Sequence, residues 1–151
     1  MAWADAMDQR IEVSDAVEPE VRAAILEGIV AHNTAAVGEM PRGELQLAVR
    51  DPYTGRIAGG LTGRYSLRWL FVELLYLPAD MRGSGLGIAL MRRAEAEALA
   101  RGCVGVWLDT FSFQARGFYE RLGYRAFGTI EGYPPGSARH FMARRIDGPS
   151  A

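Results

Sequence analysis

Residues 78–87 read Pro-Ala-Asp-Met-Arg-Gly-Ser-Gly-Leu-Gly. They separate an extended apolar segment, 69–77, from a segment, 86–101, whose apolar residues recur at helical spacing, so the pattern predicts a strand, a glycine loop and a helix. Glycines at alternate positions allow a tight turn and let a ligand approach the main chain. The first N–H groups of such a helix lack an internal partner and lie at the positive end of its dipole, which suits them to bind a phosphate. Arg82 adds a guanidinium group beside this predicted phosphate-binding site.

The spacing of the glycines distinguishes this loop from other phosphate-binding loops. A dinucleotide-binding fingerprint that starts at Gly83 needs a glycine at position 88, where Ile88 stands. A P-loop needs a lysine directly after its last glycine, and Gly87 is followed by Ile88. The remaining pattern, Arg82-x-x-Gly85-x-Gly87, resembles the acyl-CoA pyrophosphate loop of the GNAT N-acetyltransferase superfamily. For this motif alone, a plain strand-to-helix connection is the alternative.

A second motif lies further along the chain. Residues 112–124 read Ser-Phe-Gln-Ala-Arg-Gly-Phe-Tyr-Glu-Arg-Leu-Gly-Tyr. This string is similar to the Asn-x-x-Ala-x-x-Phe-Tyr-Glu-Lys-Leu-Gly-Phe signature of the same superfamily, with Ser112 in place of the Asn and Arg121 in place of the Lys. Because two independent motifs occur in the order that the superfamily has, the chain is identified as a member of it.

Length and composition indicate one globular domain. The chain has 151 residues, of which 49% are apolar and 23% charged, and we expect a domain over 10–147 between an N-terminal segment, 1–9, and a tail, 148–151. A net charge of -1 gives no case for a nucleic acid or a membrane surface as partner. The start of the chain lacks signal-peptide features, and no apolar run reaches the ~18 residues of a membrane span, so we expect a cytoplasmic protein. Cys103 is the only cysteine, and we expect no internal disulfide and no metal. A homodimer is compatible with the sequence.

The hydrophobic patterns predict an α+β fold. They indicate a short edge strand over 10–17, a helix from 19 to about 34, a hairpin of strands 44–50 and 56–65, a strand 69–77, a helix 86–101, a strand 104–110, a short helix 112–122, and closing strands 124–130 and 139–146. Strand 104–110 must run parallel to 69–77 because a helix joins them. The expected sheet is therefore mixed, with an antiparallel meander, one parallel pair and flanking helices. Strand 69–77 is apolar except for Glu73, which predicts burial on both faces.

The resemblance implies how acetyl-CoA, the expected cosubstrate, would bind. In the superfamily the two parallel strands splay apart, the pantetheine arm lies between them and bonds to main chain, and the pyrophosphate meets the N–H groups of the glycine loop. The superfamily's Asn contacts the coenzyme, so the shorter Ser112 puts that contact in doubt. The residues that the resemblance assigns to the coenzyme are Leu75, Tyr76, Leu77, Arg82, Gly83, Ser84, Gly85, Leu86, Gly87, Ser112 and Tyr119.

The expected reaction is direct acetyl transfer to an amine in a ternary complex. Glu73 is the candidate general base, because partial burial would raise its pKa; alternatively it pairs with an arginine such as Arg64. Tyr119 stands where the superfamily places the tyrosine that gives a proton to the coenzyme A sulfur, or it is a core residue. His140 and water are other candidates for the base.

The acceptor is the least determined part. Asp109 either holds a cationic substrate or caps the following helix, and Trp69 and Tyr133 would shape the acceptor side. Because Glu73 and Asp109 favour positive charge, we expect a small cationic or amino-acid-like amine. A protein lysine or N-terminus, and a non-catalytic coenzyme-A-binding module, stay open as alternatives.

Overall fold

The computed structural model describes residue 8 and residues 10–149 of the chain. These residues belong to two compact units that divide between Glu39 and Met40. The predicted segment 1–9 lies outside the described residues except for residue 8, and so do the last two residues of the predicted tail.

The first unit contains one long helix, α1 (Pro19–Val37), which begins with a proline and has no buried residue. It extends one turn beyond the predicted end, to Gly38, whose N–H donates to the Thr34 carbonyl. The predicted edge strand over 10–17 is wrong: residues 10–18 contain no strand. The apolar residues that suggested it are exposed, Val13 by 91%, so their alternation buries nothing that would hold a strand in a sheet.

The second unit is a six-stranded sheet with helices, as the sequence predicts. Its strands are β1 (Gly43–Arg50), β2 (Ile57–Ser66), β3 (Trp69–Tyr76), β4 (Gly105–Phe111), β5 (Arg125–Glu131) and β6 (Ala138–Arg145), in the spatial order β1-β2-β3-β4-β6-β5. Only the β3–β4 pair is parallel. A 3-10 turn (Ala79–Met81) and helix α2 (Leu86–Ala100) connect these two strands, and α3 (Arg116–Arg121) follows β4. The expected α+β architecture is confirmed.

The parallel strands pair over only part of their length. Their register runs from Trp69 opposite Gly105 to Val72 opposite Leu108 and stops there. Strand β3 continues to Tyr76 and β4 to Phe111, so residues 73–76 and 109–111 face each other without a ladder. The expected splay is therefore present, and it leaves a slot that opens toward the glycine loop.

A β-bulge marks the point where the slot begins. In the β2–β3 ladder, Gly63 is opposite Val72 and Thr62 is opposite Leu74, so Glu73 is an extra residue in β3. A bulge of this kind bends its strand and redirects a side chain. The bulge and the end of the parallel ladder thus coincide at one position.

The two faces of the sheet have different surroundings. On one face, which we call the helix-covered face, α2 and α3 pack on the centre of the sheet and form the core; its sheet residues include Leu70, Val72, Val106, Leu108 and Met142. Because strand side chains alternate, the intervening residues lie on the other face, which we call the opposite face. The sequence prediction that the central part of β3 is buried on both faces is wrong, since Glu73 and Leu74 are exposed.

Candidate active site

The glycine loop forms an uncapped helix start. Gly83 and Gly85 have φ of +74° and +85°, a region that residues with a β-carbon rarely adopt. Gly85 precedes α2 with no side-chain cap, and the first intrahelical bond runs from the Ala89 N–H to the Gly85 carbonyl. The N–H groups of residues 86–88 therefore have no partner within the helix and are available to an anion.

The third glycine of the motif has a packing role. A β-carbon built on Gly87 would lie 3.3 Å from Phe118 Cζ and 3.6 Å from Leu77 Cδ1. Its absence lets the start of α2 approach α3 and the end of β3. The spacing of the motif thus serves both the loop conformation and the packing beneath it.

Arg82 is tied to the end of β3. Its Nε donates to the Leu77 carbonyl at 2.8 Å, and its guanidinium lies 5.9 Å from the centre of the Tyr76 ring. The Leu77 carbonyl is thereby occupied, which leaves its N–H for a ligand. Ser84 Oγ donates to the Met81 carbonyl at 3.0 Å and holds the loop from within.

Tyr119 lies in α3 with its ring in the core. The ring packs edge-on against Phe118 and Tyr124. Burial, and secondly the negative charge of Asp109, raise the pKa of Tyr119 to about 12. Among the described residues, the Tyr119 hydroxyl has no hydrogen-bond partner. Its oxygen is not fully buried, so it is accessible to solvent. The phenol is consequently protonated at neutral pH and free to donate a hydrogen bond.

Glu73 forms an ion pair at the point where the slot begins. Arg64 Nη1 donates to Glu73 Oε1 at 3.0 Å, and the two side chains are 53% and 47% exposed. The prediction that Glu73 is partly buried is wrong, because the bulge turns this side chain outward. The alternative partner, Arg64, is the one that the structure provides.

Asp109 is held by an arginine from the neighbouring strand. Arg139 contacts both of its oxygens: Nε donates to Oδ1 at 2.8 Å and Nη2 lies 2.7 Å from Oδ2, and the Asp109 side chain is only 13% exposed. Arg139 Nη1 also donates to the Tyr133 hydroxyl at 3.2 Å. The expectation that Asp109 offers an unmatched charge to a cation, or caps the next helix, is therefore wrong.

Similarity to known proteins agrees with this geometry. Residues 16–124 match the family model described as the acetyltransferase (GNAT) family. The chain belongs to the GNAT acetyltransferase family. It is 46% identical over 93 residues to a blasticidin-S acetyltransferase of Streptomyces morookaense. These aligned residues cover 61% of this chain and 68% of that protein. It is 35% identical over 134 residues to an acetyltransferase of Agrobacterium fabrum, covering 89% and 97%. A crystal structure of an acetyltransferase from Bacillus cereus aligns with a TM-score of 0.75 and 30% identity, covering 91% and 99%.

In this GNAT fold Trp69 lies outside the slot. Trp69 begins the paired half of β3, and a β-carbon built on Gly105 would lie 2.3 Å from its Cζ3, so the indole covers that glycine. This is the closed end of the parallel pair. The expectation that Trp69 contacts the acceptor is therefore wrong.

Two other GNAT candidates have different partners. Ser112 Oγ accepts a hydrogen bond from the Ala138 N–H at 3.0 Å, so one of its two acceptor positions is used within the protein. His140 lies on the helix-covered face, and its Nδ1 is 3.2 Å from Arg116 Nη1, which can only donate. That nitrogen is engaged, and the ring lies across the sheet from Glu73. His140 is thus poorly placed as a base for the slot.

Cys103 lies at the closed end of the parallel strands. It is buried, and burial raises the pKa of its thiol. An acetyl-cysteine intermediate is disfavoured because the nucleophile would be a thiolate. Among the described residues, no group of three or more His, Cys, Asp and Glu could hold a metal ion, and no helix is long and apolar enough to cross a membrane.

Sequence reasoning missed the residues on the opposite face of the GNAT sheet. Phe71 and Trp107 stack there with ring centres 4.1 Å apart, between the Arg64 and Arg139 ion pairs. The strand register would have been needed to find them, because Phe71 and Trp107 are 36 positions apart in the chain and adjacent only in the parallel ladder.

Proposed function

We propose that this protein transfers the acetyl group of acetyl-CoA to a primary amine of a small molecule, by direct attack in a ternary complex. The observation that carries the proposal is the slot, whose edges are residues 73–76 of β3 and 109–111 of β4, which do not pair with each other. One end leads to the uncapped start of α2 and the other to Glu73. Acetyl-CoA lying in the slot would therefore place its pyrophosphate at the start of α2 and its acetyl group near Glu73.

The coenzyme would be held mainly by main chain. Its pyrophosphate would accept hydrogen bonds from the N–H groups that start α2, with Arg82 beside them. Its pantetheine arm would bond to residues 75–77 as an added strand does, since β3 has lost its β4 partner there. Because the Leu77 carbonyl is occupied by Arg82, Leu77 would contribute its N–H.

The amine must lose a proton before it attacks. Glu73 is the proposed base, acting directly or through water, since its carboxylate stands at the point where the slot begins and is open to solvent. Once this first proton has passed to Glu73 and on to solvent, the nitrogen forms a bond to the acetyl carbon and the carbon–sulfur bond breaks. The second proton, which the nitrogen loses as it becomes the amide, passes to solvent, and solvent protonates the thiolate.

Tyr119 would stabilise the departing sulfur. Complete proton transfer from a phenol whose pKa is about 12 to a thiolate whose acid has a pKa of about 8.5 is unfavourable. A hydrogen bond from the phenol to the developing thiolate needs no such transfer and is strengthened by the negative charge. Tyr119 would thus act as a hydrogen-bond donor and not as a proton donor. Solvent would supply the proton that converts the thiolate to the thiol.

A small-molecule acceptor has one further support. The relative that is 46% identical is named for acetylating blasticidin S, a small molecule. A protein acceptor is the alternative, and no observation on the described residues favours it.

The test is incubation of the purified protein with acetyl-CoA and pooled primary amines, read by thiol release and by mass spectrometry of the products. We expect a mass gain of one acetyl group on at least one amine, and calorimetric binding of coenzyme A. Absence of both coenzyme binding and amine-dependent thiol release would refute the proposal. Glu73→Gln should lower kcat and leave coenzyme affinity unchanged.

A further inference from the structure

The opposite face of the sheet carries two acids beside the slot, and each has its own arginine. Glu73 is paired with Arg64 at 3.0 Å, and Asp109 is bound at both oxygens by Arg139. The pairs therefore add no net charge to this face. A polycationic amine would gain little attraction from such a surface, whereas a molecule with neighbouring opposite charges could bind both members of a pair.

The two arginines differ in how many donors they have left. Arg139 uses Nε and Nη2 on Asp109 and Nη1 on Tyr133, and its guanidinium lies within 5.5 Å of the ring centres of Phe111, Tyr133 and Phe141, at 5.4, 5.2 and 5.3 Å. Its role is structural, because its planar fork is already engaged.

Arg64 is held in place but has unused donors. Its guanidinium lies 5.0 Å from the centre of the Phe71 ring, which fixes its position over β3. Within the described residues its hydrogen bonding is limited to the Nη1 contact with Glu73, and the side chain is half-exposed. An arginine with an open edge is suited to bind a carboxylate.

From this geometry we infer that the acceptor carries a carboxylate beside its amine, as an α-amino acid does, with the carboxylate on Arg64 and the amine toward Glu73. The inference rests on the proposed function and names the substrate class of the same site. An α-amino acid separates its two charged groups by a single carbon, which matches adjacent partners whose charged atoms are 3.0 Å apart. The binding of the carboxylate would leave Glu73 free to take the amine proton.

The test compares matched acceptors that differ only in the carboxylate. Phenylalanine, phenylalaninamide and phenylethylamine form one set, and leucine, leucinamide and isoamylamine form another. With saturating acetyl-CoA, we expect kcat/KM for each amino acid to exceed that of its amide and its amine by at least about tenfold, mostly through KM. Equal or better turnover of the amines would overturn the inference and leave the proposed function standing.

Variants assign the effect to Arg64. Arg64→Gln should reduce the acid-to-amide ratio of kcat/KM at least about tenfold, and Arg64→Lys should restore part of it, because charge returns without the fork. The control is Arg56→Gln, an exposed arginine in the β1–β2 turn, whose ratio should equal that of the unaltered protein. An unchanged ratio in Arg64→Gln would contradict the inference. If other amines are acetylated but none of these six, the inference is wrong and the proposed function holds; if coenzyme A does not bind and no amine is acetylated, both fail.

Discussion

The Tyr124 hydroxyl donates a 2.9 Å hydrogen bond to Glu95 Oε1, and both side chains are buried. The other carboxylate oxygen of Glu95 accepts a hydrogen bond from Arg92 Nη1 and forms an ion pair with Arg144 Nη1, each at 2.8 Å. These four residues join α2 to β6 and to the start of β5. The cluster keeps a buried acid fully partnered on the helix that begins with the glycine loop.

Removing the acid should be the most damaging change in this cluster. Glu95→Ala leaves two arginines and a tyrosine without their partner, and we expect a loss of about 3–5 kcal/mol in the free energy of unfolding. Tyr124→Phe removes one bond and should cost about 1–2 kcal/mol. Urea unfolding followed by circular dichroism measures both. Glu97→Ala is the control: it lies on the same helix, its side chain is 25% exposed against 8% for Glu95, and its replacement should change stability less. A similar loss in all three variants would contradict the role of the cluster.

The proposed part of Tyr119 in catalysis predicts a selective kinetic defect. Tyr119→Phe keeps the buried ring and removes the donor, so kcat should fall by about 10- to 150-fold, the equivalent of about 1.5–3 kcal/mol for a hydrogen bond to a charged group. Coenzyme A affinity, measured by calorimetry, should stay the same. Tyr53→Phe provides the comparison, since that side chain is 95% exposed. Equal losses in kcat and in affinity would count against Tyr119 as the donor to sulfur.

The proposed phosphate-binding site at the start of α2 can be tested with two glycines of similar backbone conformation. Gly85 has φ +85° in the loop and Gly55 has φ +72° in the β1–β2 turn, and an added β-carbon meets nothing within 4 Å at either one. Replacement by valine should cost each site about 1–2 kcal/mol of stability through backbone strain. Only Gly85→Val should also weaken coenzyme A binding, by at least about tenfold. A comparable loss of binding in Gly55→Val would show that strain alone explains the result.

The raised pKa of Tyr119 makes stability depend on alkaline pH. Because the folded pKa, about 12, exceeds the ordinary value of 10.0, the fold favours the protonated phenol. This contribution is complete below pH 10 and is lost as the pH rises toward 12. We expect Tyr119→Phe to lose less stability than the unaltered protein over that interval, and Asp109→Asn to lower the pKa of Tyr119 in phenolate absorbance titrations. Identical pH profiles of stability for Tyr119→Phe and the unaltered protein would contradict this assignment.

The sequence predicted the parts of this site that depend on local pattern. Alternation, helical spacing and the positions of the glycines were sufficient for β3, the loop and α2, because each signal lies within a few residues of what it specifies. The resemblance supplied the splay and the position of Tyr119. None of these required knowledge of how distant strands align.

The sequence predictions that were wrong concern residues whose surroundings depend on strand register and on partners elsewhere in the chain. Glu73 looked buried because its neighbours are apolar, but the bulge against Thr62 and Gly63 turns it outward. Asp109 looked like an unmatched charge because Arg139 is 30 positions away in the chain. Trp69 lies at the closed end of the parallel pair, which only the register reveals.

The extra residue at position 73 makes the site sensitive to a change in chain length. Shortening β3 by that one residue would let β2 and β3 align continuously and would improve the regularity of the sheet. The same deletion would remove the carboxylate that we propose as the base, while the pairing of Leu74 with Thr62 and of Leu75 with Leu61 would stay as it is. A more regular sheet would then accompany the loss of the proposed base, so selection for stability alone would act against the proposed chemistry.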